Sequence, residues 1–410
     1  MENTNLKPSV RFPEFKEKWE PNILGKQKNI SFLKGKGISK ADIVDDGKTE
    51  CIRYGELYTI YDEIIDEVFS KTNISTKDLV LSKANDVIIP ASGETQIDIA
   101  TASCVLRDDI ALSGDLNIIR SKINGVFLSY YLNNKKKKAI ARLAQGSSVI
   151  HLYNPHLKTL KLNLPKPAEQ ERIANFLTSL ENRITSLKEK KATILDFKKG
   201  VMQKLFNQDI RFKDNNGNDF PNWDEKILGK VFSGLKGKGI SKDKIVENGK
   251  NECILYGELY TKYPEIVTQV ISSTNSNEGV KSKEGDLLIP ASTTTTAIDL
   301  ANVTAILKED VLLGGDINIL RKKEKLDSAF FAYYLSNHYK TTLAKYAQGI
   351  TIVHLYFSHL KKVKILVPKI EEQTKIANHL IAIDTNIEEL QNKINVNEDF
   401  KKGLLQKMFV

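Results

Sequence analysis

The feature that most restricts what this chain can fold into is that it is written twice. GKGISK at 35–40 returns at 237–242, and YGELYT at 54–59 returns at 256–261, both at an offset of 202. IIPAS (88–92) parallels LIPAS (288–292), GDLNIIR (114–120) parallels GDINILR (315–321), and AQG at 144–146 parallels AQG at 347–349. HLYNPHLK (151–158) parallels HLYFSHLK (354–361), and each copy closes on the same phrase, FKKGVMQKLF (197–206) and FKKGLLQKMF (400–409). Two copies are too few for a solenoid. With 410 residues, 41% hydrophobic and 27% charged, the chain has the length and composition for two separately cored domains. A tandem pair of equivalent domains implies duplicated binding to one extended ligand, or a pseudo-two-fold body.

Within each copy the texture changes at a proline. Residues 23–165 read as short β-rich runs with turn signals, broken by helical spacing at 125–145 and, in the second copy, at 327–348. After Pro167 the spacing predicts one long helix from about Glu169 to Phe206, and its twin from about Glu371 to Phe409. Stepping alternately four and three residues from Ile173 gives a seam through Leu177, Leu180, Ile184 and Leu187. The same count from Ile376 runs through Leu380, Ile383, Ile387 and Leu390. Both are coiled-coil stripes that must be buried, most simply on each other, although self-dimerisation would also satisfy them. The second globular segment hangs from the end of the first helix and feeds the start of the second. Mutual packing therefore makes the helices antiparallel and puts the two globular domains at opposite ends. At about 1.5 Å per residue each helix spans roughly 57 Å, the length of a ruler between two sites on DNA. RFPEFKEKWE (11–20) matches FPNWDEK (220–226), which places the N-terminus near the end of the second helix and nearly closes the body into a circle. The expected fold is α+β, with domains at 1–166 and 208–368 and spacer helices at 167–207 and 369–410.

A net charge of +10 favours an anionic partner. The N-terminus has no apolar signal segment and no run approaches the roughly 20 apolar residues of a membrane span, so a location in the cytoplasm, with no membrane partner, is expected. Three cysteines without a CxxC pair suit a reducing compartment and give no disulfide framework. Catalytic signatures are missing: no phosphate-binding G-x-x-x-x-G-K-[ST], no G-x-G-x-x-G, no Asn-Pro-Pro-Tyr, no G-x-S-x-G and no H-E-x-x-H. His151 and His156, repeated as His354 and His359, are the best remaining candidates, but no repeated carboxylate accompanies them. They read as packed histidines or, failing that, as phosphate contacts. Cys51 and Cys253 recur as small buried residues. No catalytic residue and no metal site is expected.

What remains points to nucleic acid. Lys34, Lys36 and Lys40 flank the first glycine turn and Lys236, Lys238 and Lys242 the second, followed by Tyr54 and Tyr58, then Tyr256 and Tyr260. Lysines beside exposed backbone N–H groups position phosphates, although a merely solvated turn has the same composition. The run Lys135–Lys138 has no counterpart and reads as solvated surface. The copies disagree most after the shared Pro-Ala-Ser. There the first reads GETQIDIA (93–100) and the second TTTTAIDLA (293–301). Beginning at Ser92 and Ser292, these loops offer Glu94 to a cytosine amino group, Gln96 to an adenine, and the methyls of Thr293, Thr294 and Thr295 to thymine, with Thr95 beside them. Drift in a surface loop would look the same. Gln145 and Ser147, answered by Gln348 and Thr351, form a second such loop, leading into His151 and His354.

The alternation of two variable segments with two matching helices resembles the specificity subunit of type I restriction-modification systems. The resemblance rests on Pro165…Glu169-Gln170…Ile173-Ala174 and Pro368…Glu372-Gln373…Ile376-Ala377, with the Lys-Lys-Gly…Gln-Lys phrase closing each helix. It covers essentially the whole chain. It implies a non-catalytic, bacterial, DNA-binding subunit whose two globular target recognition domains each read half of a bipartite site in double-stranded DNA, while the helices fix the gap. It also implies two modification subunits, which carry S-adenosylmethionine, and restriction subunits using ATP and Mg, with no cofactor on this chain. Because the copies are so alike, related half-sites on opposite strands are expected, differing with the loops at 93–96 and 293–296. A DNA-binding regulator acting without a methyltransferase, and an enzyme with an unrecognised site, are the competing readings.

Overall fold

DVIIP (86–90) and LNIIR (116–120) lack the polar alternation of a half-exposed strand, so each must be covered on both faces. That is how they sit in the computed structural model, which describes residues 6–410. The chain divides into two units, one made of residues up to Glu189 together with Gln391–Val410, the other of Lys190–Leu390.

In the first unit a five-stranded sheet runs in the order Ser31–Lys34, Leu116–Arg120, Asp86–Pro90, Ser103–Val105, Ile64–Ile65, antiparallel except for its last pair. A four-stranded sheet lies against it (Ser70–Thr72, Thr49–Ile52, Ala111–Leu112, Val80–Leu81). Because alternate residues of a strand face opposite ways, Ile88 and Ile118 join Ile52 and Leu112 in one core, while Val87, Ile89 and Ile119 join Phe127, Leu128 and Tyr131 of the helix Gly125–Tyr131 in another. Described by itself, the second unit repeats the design. Its sheet Phe232–Lys236, Ile317–Lys322, Asp286–Pro290, Thr304–Ile306, Ile266–Val267 divides Leu288 from Leu287 and Ile289 in the same way. The fold is α+β, as expected.

The long helices are α1 (Pro167–Phe206) and α2 (Ile370–Lys407). Each starts from a buried carboxylate. Glu169 accepts Nε and Nη2 of Arg11, both at 2.7 Å, and Nε1 of Trp19 at 3.2 Å. Glu372 accepts Arg211 at 2.9 and 2.8 Å and Trp223 at 3.1 Å. The neighbouring glutamine ties the helix to the domain before it. Gln170 donates to the Pro165 carbonyl and accepts the Asn124 N–H, and Gln373 does the same with Pro368 and Asp327. The Pro…Glu-Gln phrase is thus a structural clamp, whose anion also sits where the helix dipole favours negative charge.

Within each unit the helices pair antiparallel. In the first, Lys188 meets Glu398 at 2.7 Å, Lys401 meets Glu181, and Leu177 shares a core with Met408 and Phe409. In the second, Lys198 meets Asp384 at 2.7 Å, while Leu205 and Phe206 pack with Ile376 and Leu380. Leu177, Leu180, Ile184, Leu380, Ile383 and Leu390 are buried, and Leu187 and Ile387 half-buried. Near the end of α1 the buried residue is Met202 rather than the heptad position Val201. Farther along, the same stepping reaches Lys198 and Lys401, and both have partners. Lys198 also approaches Glu265 at 3.6 Å and lies over the Tyr333 ring, and Lys401 approaches Glu63 at 3.8 Å over Tyr130. Burial opposes the Lys401 charge, but Glu181 and Glu63 outweigh it and hold its pKa above the usual lysine value. These two lysines fasten helix to globular domain.

The N-terminal segment meets the end of α2, as its repeat placement predicts: the Val10 N–H donates to the Lys407 carbonyl at 3.2 Å. One expectation needs correction. Lys135–Lys138 is not simply solvated: Lys136 lies over the Tyr131 ring and Lys137 reaches Thr101, because a wider helical turn at Leu132–Lys136 folds part of the run back onto the domain.

Candidate nucleic-acid interface

The phrases that the two copies share converge on one place in each unit. Ser92–Gly93 pairs antiparallel with Ile150–His151. The Leu152 N–H donates to the Ala91 carbonyl, and buried Asn117 donates to the Leu152 carbonyl at 2.8 Å. In the second unit Ser292–Thr293 pairs with Val353–His354, Leu355 donates to Ala291, and Asn318 donates to Leu355 at 2.7 Å. Pro-Ala-Ser, Gly-Asp-x-Asn and His-Leu-Tyr are therefore the three sides of one small frame. The antiparallel register brings two loops off the same end of it: 94–98 with 146–149, and 294–298 with 349–352.

The second loop of each pair is a tight hairpin. Gln145 and His151 exchange backbone hydrogen bonds, as do Gln348 and His354. Gly146 and Gly349 take φ of +121° and +123°, and a Cβ there would lie 2.1 and 2.0 Å from the carbonyl oxygens of Val149 and Ile352. Only glycine fits.

At the tips the units diverge. Glu94, Thr95 and Gln96 are exposed. Thr95 is used internally, donating to Asp98 at 2.6 Å and accepting its N–H, whereas among the described residues Glu94 and Gln96 have no side-chain hydrogen bond. In the second unit Asp299 collects the hydroxyls of Thr295 and Thr296, both at 2.7 Å, and these bonds hold its carboxyl below the usual range. Thr294, Gln348 and Thr351 are exposed, as are Gln145 and Ser147 in the first unit. Ser92, Ser292 and Thr293 are a correction to the expected contact set. They lie buried in the paired strands, where backbone pairing turns them inward. One tip residue escapes the sequence reading: Ile350 is 100% exposed. It lies in the second loop, between Gln348 and Thr351, but is not among the residues expected to touch DNA.

The lysine turns stand beside this frame. Lys34, Lys36, Lys40, Lys236, Lys238 and Lys242 are all exposed. Lys236 lies over the Tyr356 ring and 3.6 Å from Asp316, which accepts from Ser292. The backbone part of the expectation fails. The N–H groups of Gly35, Lys36, Gly237 and Lys238 already donate to carbonyls of Leu116, Leu112, Ile317 and Leu313, since the turn is pressed onto the neighbouring loop. The lysine ammonium groups stay exposed, that of Lys236 beside Asp316. Tyr54 is half-buried and Tyr58 exposed, and burial, then Tyr54, Glu94 and Asp98, raise the Tyr58 hydroxyl, which places it beside the 94–98 loop. Tyr256 and Tyr260, with Lys242 and Asp316, line a cavity of about 970 Å³. The glutamate of the YGELYT phrase is internal: Glu56 accepts from Arg53 and Ser70, and Glu258 from Leu255 and Ser272.

His151 stacks on Tyr153 at 5.9 Å and His354 on Tyr356 at 5.6 Å. His156 and His359 pack edge-on against the same tyrosines. Burial pushes the Cys51 and Cys253 thiols up to about 11 and that of Cys104 to about 12, so all three are neutral and inert at physiological pH. Among the described residues no three His, Cys, Asp or Glu side chains gather as a metal ion would require, and no helix is long and apolar enough to cross a membrane.

A basic frame presenting variable loops, twice in one chain, has relatives. The model of the type I restriction modification DNA specificity domain matches residues 16–196 and again 221–398. The chain belongs to that family. A type I specificity-domain protein of similar length, the type I restriction enzyme MjaVIII specificity subunit of Methanocaldococcus jannaschii, is 24% identical over 429 residues, spanning 98% of this chain and 94% of the relative. Among solved structures, the type I restriction-modification S subunit from M. genitalium superposes with a TM-score of 0.62 at 16% identity, covering 98% of this chain and 99% of that one. A chain from a study of type I restriction-modification complex assembly gives 0.51 at 17% identity, covering 93% and 97%. These likenesses show that the specificity-domain fold extends over essentially the whole chain.

Proposed function

We propose that this chain is the non-catalytic, sequence-specific DNA-recognition subunit of a type I restriction-modification complex, each globular domain reading one half of a bipartite, interrupted site. The observation that carries this reading is the pair of matching frames whose tips differ most. Exposed lysines around each frame supply phosphate affinity, and the tips supply base discrimination. The target recognition domains span about 1–166 and 208–368. The helices at 167–207 and 369–410 set the spacing between half-sites and dock two modification subunits. Phe197 and Phe400, at matching positions of α1 and α2, are 56% and 53% exposed. Gly200 and Gly403 lie three residues on, with nothing in the chain within 4 Å of where a Cβ would stand. A mid-helix glycine costs about 1 kcal/mol relative to alanine, so a bare glycine beside an exposed phenylalanine suits close approach by another protein. S-adenosylmethionine belongs to the modification subunits, and ATP and Mg to the restriction subunits. The cytoplasm, where DNA and these partners meet, is the location this reading requires. The half-sites are related after reverse complementation and differ where the tips differ.

Sequencing adenine methylation in cells expressing the chain with its matched modification subunit, against cells lacking the chain, tests this. A new bipartite motif is the expected result. Methylation that does not depend on the chain contradicts it.

A further inference from the structure

We propose that the second unit's reading tip selects thymine through its C5-methyl group. This deepens the reading above and rests on it. In the loop 294–296, polar by composition, two of the three threonines turn their hydroxyls inward. Thr295 and Thr296 both donate their hydroxyls to Asp299, and Thr293 is buried with its hydroxyl against that of Thr295. With their hydroxyl protons engaged inward, Thr295 and Thr296 have lost their donors to any outside acceptor and present methyl groups, while the exposed Thr294 keeps its hydroxyl. From the same end of the frame rises the Gly349–Ile352 hairpin, where Ile350 is 100% and Ile352 49% exposed. An isoleucine in full contact with water contributes nothing to folding. Gly349, locked at φ +123°, holds it at the tip.

The occupant is set by what surrounds this apolar point. Lys236, over the Tyr356 ring of the same frame and paired with Asp316, and the exposed Lys238 and Lys242 leave the setting net cationic, which suits a polyanion rather than another apolar protein surface. On the major-groove edge of DNA the thymine methyl is the apolar group that distinguishes one base from the others. The first unit supplies the contrast. At the position matching Ile350 it carries Ser147, the exposed Val149 answering Ile352, and its other loop offers the unbonded carboxylate and amide of Glu94 and Gln96, groups that read amino and amide edges.

The test uses the chain in complex with its modification subunits, bound to duplexes carrying its own methylation motif in which single thymines of either half-site are replaced by deoxyuridine. Uracil removes only the methyl. Binding is expected to weaken about fourfold for each thymine read in the second unit's half-site and to stay unchanged for the first. Ile350→Ser, at a site too exposed to affect folding, is expected to abolish part of that discrimination, so that thymine and uracil duplexes bind more nearly alike. Equal affinity of the unaltered complex for both duplexes, with the half-site still required for binding, overturns the thymine inference and leaves base reading by this tip intact. If altering the second half-site has no effect on binding at all, both fall.

Discussion

The foot of each long helix and the tip of each reading frame are both duplicated, but only the first is duplicated in chemistry. At the feet, Arg11, Trp19 and Glu169 match Arg211, Trp223 and Glu372, each carboxylate taking a bidentate guanidinium and an indole N–H. At the tips, a carboxylate, an amide and two serines stand where the other copy has threonines and Ile350. The buried clamp tolerates no change because each group satisfies another that would be orphaned without it. The tip residues satisfy little inside the fold, so they are free to differ, and that freedom is what reading two different sequences requires.

If the feet are purely structural and equivalent, Glu169→Ala and Glu372→Ala must cost alike. Each orphans a buried guanidinium and an indole N–H, and a loss on the order of 3 kcal/mol is expected in denaturant titrations of the full chain. A cost for only one of them would break the equivalence. Next in size, Asn117→Ala and Asn318→Ala remove the buried amide that holds the frame beneath each tip. About 1–3 kcal/mol of stability should be lost, with weaker selection of the half-site read by that unit and the other half-site unaffected. Smallest in stability are the tips themselves. Gln96→Ala and Thr294→Ala should shift the unfolding midpoint by no more than about 0.5 kcal/mol, while changing which base is preferred at one position of one half-site, as read by methylation sequencing.

Much of this architecture is legible in the sequence because it is periodic. The duplication and the heptads place α1 and α2 to within two residues of their ends, and the literal repeats mark the frame. The clamp is not legible. Arg11 lies 158 residues from Glu169, and nothing in local spacing pairs them. Nor does local spacing pair Lys198 with Asp384 or Lys401 with Glu181. Ile350 is hidden for the opposite reason. Its loop is legible, but an isoleucine in a loop ordinarily folds back onto the core, and only the glycine-locked hairpin shows that it does not. Ser92, Ser292 and Thr293 look available because they are polar, yet strand pairing turns them inward.

The central claim, that frames are shared and tips read, is met most directly by transplantation. Glu94–Ile97 would replace Thr294–Ile298, and Gly146–Val149 would replace Gly349–Ile352, leaving Asp299, Asn318 and every clamp residue in place. Adenine methylation would then be sequenced in cells carrying the altered chain and its modification subunit. The account predicts a motif with the first half-site and spacer unchanged and the second converted toward the reverse complement of the first. An unchanged bipartite motif from the folded, transplanted chain would contradict it.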